Sequence, residues 1–314
     1  MARVHRVRAL LLALALSVGL FFLGACGAAE PLELPPGFPG EEVEFSFILS
    51  ADMREFTGDN PDYFRGACEA ILAADPGAFM LSAGDIDPPQ AVLDTIHDYI
   101  GAGYPWYPVV GNHETETPAD MDWLRSACTG GIAPPAPVDP GPTNARETCY
   151  SFDHGSAHFV VLNEYYDGAS DTGTDGDVGN ALYYWLAADI DNNARPIVFV
   201  AGHEPAYPQP DQDTGRLRHE TDSLNKYASN RDRFWSLLRD KGVTAYLCGH
   251  THNYSRVKID GLWQLDAGHA RGKGDTGAPS TFVKLWIGQS GRSYYAAFRM
   301  DRHGRYAPTE WGAF

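Results

Sequence analysis

The chain is short of basic residues: 24 Lys and Arg stand against 41 Asp and Glu, for a formal net charge of −17. A surface without a cationic excess cannot displace the counterions of a nucleic-acid backbone, so charge-driven binding of DNA or RNA is excluded. Cysteine is also scarce, with five in all, and none falls in a CxxC or Cys/His spacing that would mark a zinc site. No H-E-x-x-H helix is present, which argues against a metalloprotease of that kind. The acidic run Asp167, Asp171, Asp175 and Asp177 lacks the spacing of a calcium hand and reads as a solvated loop near a site mouth. There is no internal repeat. Beyond the N-terminus no apolar stretch is long enough to span a bilayer. An acidic protein that handles an anion needs a local positive centre, and a bound metal ion is the simplest one.

What the chain does have is size and apolar content. Its 314 residues, 44% of them hydrophobic, suffice for one large domain or two small ones. Residues 1–25 read as an export signal, with Arg3, Arg6 and Arg8 ahead of an uncharged apolar run. The run ends in Leu23-Gly24-Ala25-Cys26, which resembles a bacterial lipobox with Cys26 as the lipidated residue. The alternative is an uncut anchor helix. Either way the expected location is outside the cytoplasm, attached to a membrane at the periplasmic or cell surface. Residues 26–43, rich in Pro and Gly, read as a flexible tether, and 44–314 as the main folded domain. An oxidising compartment permits disulfides, and Cys128 and Cys149, which flank a Pro/Gly-rich loop, are expected to pair. Cys68 and Cys248 are expected as buried free thiols.

Along the chain, short apolar runs alternate with amphipathic stretches. The runs at 45–49, 78–82, 106–110, 158–162, 197–200 and 243–248 predict strands, followed by 263–265, 282–286 and 294–298. Helices are predicted at 62–73, 91–100, 121–127, 182–190 and 231–239. Five of the strands end at a polar residue able to bind metal, and Gly precedes that residue in four of the five. Ligands in α/β sheets bind beyond the carboxyl ends of strands, so five such ends are able to converge. Gly lets the chain turn sharply and approach closely there.

Each piece alone is weak, since a lone Gly-Asp or His is more often a turn residue or a satisfied core histidine. Their order is specific: Asp52, Gly84-Asp85, Gly111-Asn112-His113-Glu114, His203 and Gly249-His250-Thr251-His252. This order resembles the calcineurin-like metallophosphoesterase superfamily, purple acid phosphatases included, from about 45 to 298. His203-Glu204-Pro205-Ala206-Tyr207 also resembles that family's fourth motif. The resemblance implies a four-layer α/β/β/α sandwich of two mixed sheets flanked by helices. It implies hydrolysis of a phosphate ester by a metal-activated hydroxide. Two ions (Mn, Fe or Zn) are implied: one held by Asn112, His203 and His250, the other by Asp52 and His252, with Asp85 bridging both. His113 matches a histidine that contacts phosphate and protonates the leaving group, with Asn112 also facing substrate, and Glu114 would orient His113.

The chain departs from the pattern at the first motif. Where most members have Asp-x-His, it has Asp52-Met53-Arg54, and where purple acid phosphatases supply a Tyr it has Pro88. Asp87, His269 or a water would fill the gap, or one ion would be held tightly and the other loosely. Arg54 would point at the phosphate or form a salt bridge. A non-catalytic phosphate-binding protein with a crippled centre is the competing reading, and a hydrolase of another bond a more distant one. The turn holding His269 and Arg271 borders the site or is a plain surface turn. The locally basic insertion 207–227, with Arg216, Arg218, His219 and Lys226, forms a substrate rim or a surface loop. The expected partners are a small phosphorylated substrate and the anchoring membrane, with no protein partner.

Overall fold

Strands buried on both faces read as continuous apolar runs, and the computed structural model, which describes residues 34, 36–54 and 62–314, explains why these runs do. The strands are β1 (Val43–Ser50), β2 (Met80–Ser82), β3 (Trp106–Pro108), β4 (Asp139–Pro140), β5 (Tyr150–His154), β6 (Ala157–Val161), β7 (Ile197–Ala201), β8 (Ala245–Cys248), β9 (Tyr254–Ile259), β10 (Leu262–Ala267), β11 (Thr281–Gly288), β12 (Ser293–Met300) and β13 (Tyr306–Ala313). The α-helices are α1 (Phe64–Ala73), α2 (Pro89–Tyr99), α3 (Asn112–Glu116), α4 (Pro118–Thr129), α5 (Asn180–Asn192) and α6 (Ala228–Asp240).

Two mixed sheets result. One has six strands in the order β13-β12-β11-β1-β2-β3, the other seven in the order β4-β5-β6-β7-β8-β10-β9. Side chains alternate across each strand, so a single strand feeds two layers. Phe47, Leu49 and Ala51 of β1 and its exit join Phe159 and Val161 of β6 and Phe199 of β7 between the sheets. Ile48 of β1 faces the other way, onto Phe64, Cys68 and Ile71 of α1 and Ile96 of α2. On the far side Val160 and Val200 meet Leu182 and Leu186 of α5 and Phe234 and Leu238 of α6. The fold is thus the expected four-layer sandwich.

Aromatic rings lock the central layer. Phe159 stacks on Phe152 at 4.9 Å and meets Phe47 edge-on at 5.1 Å and Phe79 at 5.3 Å between centroids. Each such pair adds about 0.5–1.5 kcal/mol beyond area burial. The parallel trio β1-β2-β3 and the parallel trio β6-β7-β8 then deliver their carboxyl ends to one rim of the sandwich.

Several expectations need correction. Cys128 and Cys149 are not bonded; among the described residues all cysteines are free. Cys149 is buried beneath α5 and α6, where its Sγ accepts the Asn163 N–H at 3.3 Å, while Cys128 is half-buried near the end of α4. Burial pushes the Cys149 thiol up to about 12. Cys68 and Cys248 are buried and free, as expected. The described part of the segment expected as a tether is packed: Phe38 meets Trp286 edge-on at 5.4 Å, and Glu41 accepts from the Ser290 backbone N–H at 3.0 Å. Cys26 and the signal segment lie outside the described residues. The acidic loop is not simply solvated, since Asp171 is buried and binds Arg125 at 2.6 Å. The short helix α3 had no periodicity to announce it, being five polar residues, Asn-His-Glu-Thr-Glu.

Phe159→Ala should destabilise the domain by about 3–5 kcal/mol, because it empties the centre of the aromatic layer. Urea unfolding read by tryptophan fluorescence checks this.

Candidate metal centre

Each strand end carries its polar residue into the same small volume. Asp52 follows β1, Asp85 follows β2, Asn112 follows β3, His203 follows β7 and His250 follows β8. Close approach is possible because of the glycines. Gly84 has φ +82°, and a Cβ there would fall 2.3 Å from His203 Nδ1; a Cβ on Gly249 would fall 2.6 Å from Asp52 Oδ2. Asp52, Asp85, His250 and His252 themselves sit in the left-handed region, at φ of 52°, 52°, 70° and 57°. Such conformations cost non-glycine residues about 1–3 kcal/mol each and persist where the surroundings impose them.

The hydrogen bonds behind the histidines fix which ring nitrogen faces the centre. A carbonyl oxygen can only accept, so the nitrogen that meets it must carry the proton. His203 Nδ1 donates to the Ala83 carbonyl at 2.7 Å, which leaves Nε2 bare. His250 Nε2 donates to the Asp222 carbonyl at 2.8 Å, which leaves Nδ1 bare. These two bare nitrogens face each other at 3.2 Å. Asn112 Oδ1 lies 3.3 Å and Asp85 Oδ1 3.4 Å from the same His203 Nε2. Four acceptor atoms therefore crowd together with no proton among them.

A second group adjoins the first. Ligand atoms of Asp52, Asp85 and His252, all three buried, lie within 4.8 Å of one another. His252 Nδ1 meets the Asp275 carboxylate at 2.7 Å, so its Nε2 faces Asp52 Oδ1, 3.5 Å away. Asp52 Oδ1 is buried and has no hydrogen-bond partner among the described residues, whereas Oδ2 accepts the His250 N–H at 2.8 Å. Burial, then Asp85 and Asp266, pushes the Asp52 pKa well up. Burial holds His203 below its ordinary value, drives His250 well below it, with help from its histidine neighbours, and brings His252 to about 4. Neutral imidazoles, carboxylates and an amide oxygen converging with their lone pairs inward form a donor set that fits divalent cations.

His113 flanks this centre. Its backbone N–H donates to Asp85 Oδ1 at 3.2 Å and its Nε2 lies 3.7 Å from Asp85 Oδ2. Arg54 donates to that Nε2, and its own Nε is held by Asp87 Oδ1 at 3.1 Å. Glu114 does not orient the His113 ring, contrary to expectation. Its buried carboxylate accepts the backbone N–H groups of Gly111 at 2.6 Å, Ile86 at 2.8 Å and Asp85 at 3.1 Å, so it splices the β2 and β3 exits together. The residue beside the ring is Glu116, whose carboxylate lies 3.1 Å from His113 Nδ1. The spacing of three along a helix would have suggested Glu116, had α3 been foreseen.

His269 is fully buried and both ring nitrogens are engaged, Nε2 with the Ala278 carbonyl at 3.0 Å and Nδ1 with the Arg271 N–H at 3.3 Å. It presents nothing to a substrate or an ion and sits behind His252, its ring centroid 5.9 Å away. Asp87 is turned to Arg54. The insertion 207–227 does reach the site: the His219 ring lies 4.0 Å from that of His250 between centroids, and Arg218 NH2 is 3.3 Å from His219 Nε2. Asp222 and Asp275, which set the histidine tautomers, belong to no motif, and the sequence carries no signal for them.

Comparisons with known proteins agree with this geometry. A plant protein from Arabidopsis thaliana, described as a probable inactive purple acid phosphatase 9, is 27% identical over 181 residues, covering 50% of this chain and 25% of that protein. An acid phosphatase of Aspergillus ficuum is 28% identical over 145 residues, covering 34% of this chain and 22% of the relative. The chain thus spans about a quarter of the length of these curated relatives. The solved structure of purple acid phosphatase PPD1 from yellow lupin (Lupinus luteus) seeds superposes with a TM-score of 0.58 at 15% identity, over 85% of this chain and 53% of that one. That likeness fixes the fold. The profile of the calcineurin-like phosphoesterases matches residues 51–254, a span that opens one residue before Asp52 and closes just beyond His252. Both ends of the acceptor cluster fall inside that match, and the chain accordingly belongs to the calcineurin-like phosphoesterase family.

Proposed function

We propose that this chain hydrolyses a small phosphate mono- or diester at a centre for two cations, one held more tightly than the other. The observation that carries the reading is the proton-free cluster of His203 Nε2, His250 Nδ1, Asn112 Oδ1 and Asp85 Oδ1 beside the orphaned Asp52 Oδ1. Asn112, His203, His250 and Asp85 would hold the tighter ion, and Asp52, His252 and Asp85 the looser. Bound there, divalent cations such as Mn, Fe or Zn would clamp phosphoryl oxygens and make a water acidic enough to attack phosphorus near neutral pH.

The chain's own residues do the rest. Arg54, steadied by Asp87, presents a guanidinium beside His113 and takes a phosphoryl oxygen when substrate enters. Arg218 of the 207–227 insertion offers a second positive charge, 3.6 Å from Asp275 and beside His219. When Arg54 turns from His113 Nε2 to the substrate, that nitrogen is free to carry a proton and to hand it to the leaving oxygen as the P–O bond breaks, with Glu116 holding the ring at Nδ1. Glu114 keeps the Asp85 and Asn112 exits in register, a positioning task at the backbone.

A second reading, a phosphate-binding protein without turnover, draws on the vacant first-motif histidine position and on the word inactive in one relative's description. The two separate on a generic aryl phosphate. Release of phosphate with Mn, Fe or Zn supplied supports the enzyme; silence under every metal supports the binder. His113→Ala should lower kcat by about 10²–10⁴-fold while elemental analysis finds the metal content unchanged. An unaltered rate would remove His113 from the reaction.

We also propose export and attachment to a membrane through lipid on Cys26. The sequence Leu23-Gly24-Ala25-Cys26 supports this. Cys26→Ser should abolish incorporation of labelled palmitate in cells and release the protein from the membrane fraction. Labelling that survives the substitution refutes the assignment.

A further inference from the structure

The looser cation position has one imidazole, His252, and the place where the family has a second is occupied by Arg54. A site with a missing ligand depends heavily on how rigidly the remaining ones are aimed. His252 is aimed by a residue outside every motif. Its Nδ1 meets Asp275 Oδ2 at 2.7 Å, which fixes the ring and leaves Nε2 toward Asp52.

Asp275 is itself clamped. Its Oδ1 accepts from Arg216 NH1 at 2.9 Å and from the Gly277 N–H at 2.7 Å. The other arms of Arg216 reach Asn253 Oδ1 at 2.7 Å and the His252 carbonyl at 2.9 Å. One guanidinium therefore ties the carboxylate to the backbone of the very histidine it aims. The turn is closed tightly around it, since a Cβ on Gly277 would fall 1.8 Å from Arg216 NH1. The insertion that carries Arg216 is anchored in turn. Buried Asp211 accepts from Arg299 NH2 at 2.6 Å and from the Tyr254 N–H at 3.1 Å.

We propose that Asp275 is a positioning residue for His252, aligned by Arg216 of the 207–227 insertion, and that this pair offsets the first-motif ligand the chain lacks. A carboxylate behind a ligating imidazole fixes the tautomer and raises the basicity of the other nitrogen, and losing one typically weakens metal binding 10- to 100-fold. The inference rests on the metallophosphoesterase reading and deepens it by naming what sustains the weaker position. A plain surface ion pair between Arg216 and Asp275 would hold the loop and leave metal affinity untouched.

The test uses the full chain, stripped with chelator and titrated with Mn(II) by calorimetry, with stoichiometry checked by elemental analysis. His252→Ala identifies which binding step belongs to the looser position. Asp275→Asn, nearly isosteric, should weaken that step 10- to 100-fold and leave the tighter step alone, and Asp275→Glu should recover part of the loss. Arg216→Met should weaken the same step to a smaller degree, and it carries the test if Asp275→Asn does not fold. Unchanged affinities, or equal weakening of both steps, would overturn the proposal. A wild-type chain that binds no metal at all would instead overturn the phosphoesterase reading on which it stands.

Discussion

Lone pairs that face one another with no proton between them are the constraint around which this molecule is organised. The Ala83 carbonyl, the Asp222 carbonyl and the Asp275 carboxylate each take the one ring proton of a histidine. The remaining nitrogens have no donor to meet, and the nearby atoms of Asn112, Asp85 and Asp52 are acceptors too. Such an arrangement is repulsive on its own and is stable only where the scaffold imposes it or a cation satisfies it. Four of its members also have left-handed backbones. A cation that binds the folded chain and not the unfolded one therefore returns stability to the fold by mass action.

The scaffold that imposes this arrangement is the ring-filled layer between the sheets. Phe47, Phe79, Phe152, Phe159 and Phe199 are all buried there and interlock edge to face and face to face. Close-packed interiors deform little, so strand exits set by that layer keep their spacing. Glu114 extends the same rigidity to the rim, where its carboxylate collects three backbone N–H groups from two different strand exits.

Much of this was legible in the sequence, and for a physical reason. Strands buried on both faces must be apolar throughout, and an abrupt Gly-Asp or Gly-His at the end of such a run stands out. Asp85, Asn112, His203 and His250 were readable in that way, and the structure places them together. Most of what escaped depends on a partner far away in the chain. Asp275 belongs to a loop with no periodicity, and its partner His252 is 23 residues distant. Glu114 looked like a partner for the neighbouring His113 ring, but it is fully buried and turned toward backbone, and Glu116 one turn on takes the ring. The Cys128–Cys149 pairing failed because a closable loop does not by itself bring two thiols into bonding geometry, and the Cys149 sulfur is instead enclosed against the Asn163 N–H. His269 was expected either to border the site or to lie on a surface turn, yet it is fully buried between β10 and β11.

The bond from the His250 N–H to Asp52 Oδ2 joins residues 198 positions apart. Asp52 leaves the first strand of one sheet and His250 leaves the fifth strand of the other, so no fragment ending before β8 contains both. Pairings of such long range are slow to form because their loop entropy is spent before any contact rewards it. The order of events during biogenesis follows: side chains that leave strands of both sheets cannot close around a cation until the two halves of the sandwich have met, so metal loading is a late step.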